Sequence, residues 1–255
     1  MPERSGYAPG IPGWVDIGTD VEPAKAFYGA LLGWTTQDAG PPEETGGYGF
    51  FLKDGKLVAG YGPQQAPGPP FWTTYVIVAD ADETAKRVEQ AGGTVVMAAM
   101  DVMTAGRMAV FQDPQGAFIS VWQPGEHQGA QLVNEPGALC WNELQTRDVD
   151  GSKAFYTAVF DWEAQTHAEG PMPYTEFKVE GTSIAGMMPM PPMIPKDVPP
   201  HWLVYFAVDD TDAAVAKAAE LGGAVRMPPM DLPVGRLSVV ADPQGATFAV
   251  IKLSD

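Results

Sequence analysis

The chain has 255 residues, 45% of them apolar and 18% charged, with a formal net charge of −17. That composition belongs to a globular protein of one or two domains. A surface this acidic repels phosphate backbones and argues against a nucleic-acid partner. The one cysteine, Cys140, excludes an intrachain disulfide.

No stretch approaches the ~18 apolar residues of a membrane span. The opening M-P-E-R-S-G-Y-A-P-G lacks the apolar core of a signal peptide. The expectation is a soluble, cytoplasmic protein, monomer or homodimer, with a small-molecule partner and no nucleic acid or membrane.

Trp14 to Thr19 alternates and predicts a strand. Pro23 suits a first helical residue, Ala24 to Leu32 carries an apolar stripe, and Gly33 ends the helix. Tyr48–Leu52 and Lys56–Tyr61 predict strands around an Asp54-Gly55 turn. The Pro/Gly/Gln run from Gly62 to Pro70 predicts a linker. The order then restarts: strand Phe71–Val78, helix Asp82–Ala91 capped by Asp80 or Asp82, then strands Thr94–Met97, Met108–Gln112 and Phe118–Trp122. A turn at Asp113–Gly116 joins the last two strands. Gln123 to Pro136 predicts an inter-domain linker, and the Pro/Met-rich Met187 to Pro200 a long surface loop or flap.

The chain then repeats itself. P-A-K-A-F-Y-G-A-L-L-G-W at 23–34 returns as G-S-K-A-F-Y-T-A-V-F-D-W at 151–162, and D-P-Q-G-A at 113–117 returns at 242–246. The offsets are 128 (153 − 25) and 129 (242 − 113). Two domains follow, at 9–124 and 137–253, each large enough to bury a core of its own. Each contains two units of a strand, a helix and further strands.

Repeated βαβββ modules, a K-A-F-Y…W helix after the first strand and a D-P-x-G turn before the last strand resemble the vicinal oxygen chelate superfamily of glyoxalases, bleomycin-resistance proteins and extradiol dioxygenases. Gly106-Arg107 and Gly235-Arg236 ahead of D-P-Q-G-A resemble its two-domain actinobacterial members, described as glyoxalase-like, as a 27-kDa antigen or as a hydroxylase. The resemblance implies an α+β fold, a tandem repeat of two glyoxalase-like domains, each a pair of βαβββ modules forming a half-open barrel. It does not by itself imply an activity.

In metal-using members the ligands are His, Gln or Glu on the inner faces of the first and last strands of each module. The corresponding positions here hold Trp14, Thr73 and Ser120 in the first domain and Trp141, Leu203 and Ala249 in the second. The three histidines, His127, His167 and His201, do not recur between copies, and His127 lies in the linker. The expectation is no metal and no cofactor.

Val15 and Ile17 should face the helix, which turns Trp14 and Asp16 to the cavity; in the second copy Trp141, Glu143 and Gln145 take that side. Trp14 and Trp141, with Met100, Met230 and neighbouring methionines, would suit a flat or apolar ligand, or would simply fill the barrel. Asp16 and Glu143 are candidate acid–base groups, because burial raises a carboxyl pKa, or they are structural carboxylates. Arg107 and Arg236 would pair with these carboxylates, bind an anionic ligand, or stabilise a turn. Tyr75 and Tyr205 fall on the inner face as hydrogen-bond donors or barrel filling. Two functions remain: binding of a small apolar or aromatic molecule in a Trp/Met-lined cavity without the superfamily metal site, or a lyase-, hydroxylase- or dioxygenase-like enzyme using Asp16 and Glu143 or an unrecognised divalent metal.

Overall fold

The computed structural model describes residues 2–65, 68–169, 172–192 and 194–254. The first domain runs β1 (Pro12–Thr19), α1 (Val21–Leu32), β2 (Thr35–Asp38), α2 (Pro42–Thr45), β3 (Gly49–Lys53), β4 (Lys56–Pro63), β5 (Phe71–Ile77), α3 (Ala81–Gln90), β6 (Thr94–Val102), β7 (Gly106–Gln112) and β8 (Phe118–Pro124). The second runs β9 (Leu139–Thr146), α4 (Val149–Phe160), β10 (Glu163–His167), β11 (Tyr174–Val179), β12 (Thr182–Pro189), β13 (His201–Ala207), α5 (Thr211–Glu220), β14 (Ala224–Leu232), β15 (Gly235–Ala241) and β16 (Thr247–Leu253).

Each domain is one eight-stranded sheet, ordered β2-β3-β4-β1-β5-β8-β7-β6 and β10-β11-β12-β9-β13-β16-β15-β14. The two modules of a domain join where β1 runs antiparallel to β5, and β9 to β13. The architecture is the tandem α+β repeat.

Local signals explain most boundaries. Gly33 closes α1 in the left-handed region at φ 72°. Asp80, Asp148 and Asp210 each cap a helix by accepting from a backbone N–H three residues on. Asp54 and Gly55 both take positive φ, as a two-residue hairpin needs.

Some expectations differ. Helix α1 starts at Val21, so Pro23 is its third residue, still in the turn whose N–H groups need no helical partner. The polar β2 and the single turn α2 carry no apolar period. Strand β6 runs on to Val102 through two register shifts against β7. Strands β4 and β12 reach into the expected linker and flap, at Pro63 and Pro189; Ala66, Pro67 and Met193 of those two segments lie outside the described residues.

The domains do not each bury a separate core. Phe27 and Tyr28 of α1 and Trp34 pack on Phe206, Val240 and Phe248 of the second sheet. Phe155, Tyr156 and Val159 of α4 share a cluster with Val76, Phe111, Ile119 and Val121 of the first. Each leading helix thus fills the back of the other domain, and the concave faces of both sheets are left turned away from the junction.

Polar groups buried at that junction are paired. Trp72 Nε1 donates to Tyr28 Oη (3.1 Å), which donates to Asp242 Oδ2 (3.0 Å). The mirror set is Trp202 Nε1 to Tyr156 Oη (2.9 Å) to Asp113 Oδ2 (3.0 Å). Trp34 and Trp162 donate across the junction to the carbonyls of Gly137 and Gly10.

Candidate functional site

Strand register fixes which side chains share the concave face. Trp14 lies opposite Tyr75, Asp16 opposite Thr73 and Gly60, and Tyr75 opposite Ser120. In the second domain Trp141 lies opposite Tyr205, Glu143 opposite Leu203 and Gly186, and Tyr205 opposite Ala249. The outward residues of β1, Val15 and Ile17, are fully buried against the helix layer.

The same small network stands at the centre of each face. In the first domain Asp16 Oδ2 accepts from Tyr75 Oη (3.0 Å) and Tyr48 Oη (3.1 Å), and Tyr48 Oη accepts from Trp14 Nε1 (3.1 Å). In the second, Glu143 accepts from Tyr205, Tyr174 and Gln145, and Tyr174 Oη accepts from Trp141 Nε1 (2.9 Å). Burial raises the Asp16 carboxyl to about 6, against the lowering effect of the Tyr75, Tyr48 and Thr73 hydrogen bonds. Burial raises Glu143 in the same way, opposed by Tyr205, Tyr174 and Gln145.

Tyr48 and Tyr174 were not singled out from the sequence. Both precede or open a strand and reach over a glycine, Gly60 or Gly186, to meet the carboxylate. The available signal was a constant offset of 126: Tyr48 with Tyr174, and Ala59-Gly60 with Ala185-Gly186 (174 − 48, 186 − 60). A methyl at Gly186 would collide with Tyr174 Oη and lie 2.8 Å from Trp141 Nε1. Gly186→Ala is therefore expected to cost about 1–3 kcal/mol by overpacking and to displace Tyr174 from Glu143. Urea melts and the near-ultraviolet circular dichroism check this; an unchanged aromatic spectrum refutes it.

Arg107 and Arg236 do not reach the carboxylates. Arg107 is bidentate to Asp82 (2.8 and 3.1 Å) and also holds Asp101 (2.8 Å). Arg236 does the same with Asp212 (2.5 and 3.0 Å) and Asp231 (3.0 Å). Each ties the start of a helix to a hairpin outside the site. Of the three roles open to these arginines the structural one holds, and its partners are legible as a duplication, since both aspartates recur at offset 130 (212 − 82, 231 − 101).

Met100 and Met230 lie in register with Met108 and Leu237 on the outer strands, 48% and 43% exposed. They form the rim of each face, not its wall.

The two faces differ in cover. Trp14 is only 2% exposed, because His127 from the linker lies edge-on to its ring at 4.4 Å, with Phe50 and Trp122 around it. The N-terminal Tyr7, hydrogen-bonded to the Ala130 carbonyl, covers Gly13 beside it. The expected cavity of the first domain is thus filled by the chain. Among the described residues no ring lies over Trp141, which is partly exposed, as are Cys140, Gln145, Tyr174, Met227 and Val239. Burial pushes the Cys140 thiol up to about 12, so it is not an ionised nucleophile.

Beside Glu143 the second face carries Glu176 across from Gly186. Glu176 accepts from Ser183 Oγ (2.8 Å) and pairs with Lys178 (3.4 Å). This partly exposed second face, the trough, is polar toward β11 and apolar toward β13, β16 and β15. Two clefts lie away from it, of about 480 Å³ between the N-terminal segment and the linker and about 340 Å³ beside α1 and α2. Among the described residues no three His, Cys, Asp or Glu side chains cluster as metal ligands. No helix of the described residues is long and apolar enough to cross a membrane.

This arrangement of paired modules matches known proteins. The family model for the glyoxalase/bleomycin resistance protein/dioxygenase superfamily matches residues 17–121 and 129–250, and the chain belongs to that superfamily. It is 45% identical over 263 residues to CFP32 of Mycobacterium tuberculosis (strain CDC 1551 / Oshkosh), provisionally named a glyoxylase, covering 99% of this chain and 98% of that one. It is 40% identical over 265 residues to the anthracycline biosynthesis protein DauV of Streptomyces sp. (strain C5), covering 98% and 95%. Among solved structures it resembles the Mn(II)-bound glyoxalase of Novosphingobium aromaticivorans, with TM-score 0.64, 15% identity and coverage of 100% and 85%. It also resembles the 2,2',3-trihydroxybiphenyl 1,2-dioxygenase of Sphingomonas wittichii strain RW1, with TM-score 0.65, 14% identity and coverage of 96% and 91%.

Proposed function

We propose that this protein binds one small, flat aromatic molecule in the trough of its second domain, without the divalent metal of glyoxalases. One observation carries the reading: the Trp–Tyr–carboxylate–Tyr network is built twice, covered by the chain over Trp14 and left open over Trp141. An indole edge at the mouth of an apolar wall suits a planar ring, and Glu143, Gln145 and Glu176 suit its polar substituents. A relative named for anthracycline biosynthesis agrees in kind, since an anthracycline is a flat polycyclic aromatic.

The donor set does not fit a divalent ion. The four central strands offer Gly60, Asp16, Tyr75 and Ser120 in the first domain and Gly186, Glu143, Tyr205 and Ala249 in the second. Each set has one carboxylate, already accepting from two phenols, and neutral tyrosine, serine and alanine do not replace His or Glu.

A second reading rests on the raised pKa of Glu143. Burial favours the protonated form of this carboxyl, and a proton held there could be exchanged with a bound substrate, which would make the protein an acid–base enzyme.

Titration with 2-naphthol, followed by tryptophan fluorescence, tests the binding. Trp141→Ala is expected to weaken it by about 1–3 kcal/mol, the burial of one large side chain, and Trp14→Ala to leave it unchanged. Equal losses from both variants, or no quenching at all, defeat the reading. Glu143→Gln separates the two functions: an enzyme keeps binding and loses turnover. Elemental analysis finding one transition metal per domain would overturn the metal-free assignment.

A further inference from the structure

The first domain contains a ring in the place where the second is open, and that ring indicates what the open site takes. His127 belongs to the linker, yet its imidazole sits on the concave face: 4.4 Å from Trp14 at 80°, 5.5 Å from Trp122 and 5.6 Å from Phe50, centroid to centroid. It is anchored by backbone bonds, His127 N to the Ala105 carbonyl and Trp122 Nε1 to the His127 carbonyl. Its Nε2 is buried with no hydrogen-bond partner in that apolar cage.

Register gives the counterpart of each cage wall. Phe50 lies opposite Gly60 as Glu176 lies opposite Gly186, so Glu176 replaces Phe50. Trp122 pairs with Met108 as Ile251 pairs with Leu237, so Ile251 replaces Trp122. The indole remains, one wall becomes smaller and still apolar, and the other becomes a carboxylate. A ring seated on Trp141 as His127 sits on Trp14 would meet in Glu176 the hydrogen-bond acceptor that the first cage lacks.

We infer that the second domain takes a planar nitrogen heteroaromatic bearing a ring N–H, in the pose that His127 holds in the first, and that His127 is a built-in occupant that keeps the first site closed. This rests on the flat-aromatic reading of the trough and adds its chemical class. It also makes the protein single-sited despite its duplication.

Benzimidazole is the probe, and 1-methylbenzimidazole, the same ring system with a methyl in place of the N–H hydrogen, is the control. The readout is the set of seven indole N–H resonances of the ¹⁵N-labelled full chain, with Trp14 and Trp141 assigned by Trp→Phe variants. In the wild type benzimidazole should shift Trp141 and not Trp14, and the methylated control should bind about threefold or more weakly, the scale of one hydrogen bond. His127→Ala should open the first site, so that Trp14 shifts as well; His127→Phe should keep it closed. A shift of Trp14 in the wild type overturns the inference. So does an unmoved Trp14 in a His127→Ala protein whose spectrum and melting curve show it folded. If benzimidazole leaves Trp141 unmoved while 2-naphthol shifts it, the heteroaromatic class falls and the flat-aromatic reading stands. If neither moves Trp141, both fall.

Discussion

Tyr28→Phe is expected to destabilise the whole protein by about 2–4 kcal/mol, although it removes one oxygen far from the trough. That oxygen accepts from Trp72 Nε1 and donates to Asp242 Oδ2, and all three groups are buried. Its loss strands a donor and a carboxylate oxygen, each costing about 1–3 kcal/mol when left unpaired. Tyr156→Phe should cost a similar amount through Trp202 and Asp113.

Asp242→Ala should cost more than Tyr28→Phe. The other oxygen of Asp242 accepts from the N–H groups of Gln244 and Ala246, so the carboxylate holds the D-P-Q-G turn and the domain junction together. Urea unfolding of the single and double variants checks this. Tyr28 and Asp242 should couple by about 1–3 kcal/mol in a double-mutant cycle, and Tyr28 and Tyr156, in separate networks, should add. A Tyr28→Phe cost below about 0.5 kcal/mol would mean the junction is held by apolar packing alone.

The relay shows where the sequence was legible and where it was not. The duplicated K-A-F-Y and D-P-Q-G motifs were visible as fold markers. That the tyrosine of one copy bonds the aspartate of the other was not, because either half could in principle satisfy its own pair. Strand parity placed Trp14, Asp16, Trp141 and Glu143 on one face because β1 and β9 alternate without a break at those positions. Parity was silent about Tyr48 and Tyr174, which reach the carboxylates from beside a glycine and not from a regular central strand. For Arg107 and Arg236 the sequence leaves three roles open, and the structural one, with the duplicated Asp82 and Asp212 as partners, is the one the fold uses. The cover over Trp14 was hidden for the opposite reason. His127 has no duplicate, so a comparison of copies passes over it, and only the folded linker brings it to the site.

Acid stability offers the sharpest view of that covered site, because its two titrating groups pull in opposite directions. Asp16 titrates near 6 in the folded protein against 3.8 for a free side chain. The folded state therefore holds a proton that the unfolded chain releases, and stability falls as pH rises from about 4 to 6, by about 3 kcal/mol in all. His127 is lowered by burial to about 4 from 6.5. There the unfolded chain binds the proton first, and stability falls as pH drops from about 6.5 to 4, again by about 3 kcal/mol. In the wild type the two nearly cancel. Asp16→Asn should expose the histidine: the variant is expected to be more stable than wild type at pH 7.5 and to lose that advantage by pH 4. His127→Phe keeps a ring over Trp14 and should expose the carboxylate, so its stability relative to wild type should rise on acidification. Glu143 and the other shifted groups are common to all three proteins and drop out of the comparison. Urea midpoints at pH 7.5 and 4.5 decide it. If both variants follow the wild-type curve in parallel, Asp16 and His127 titrate as solvated groups, and the first site is not sealed.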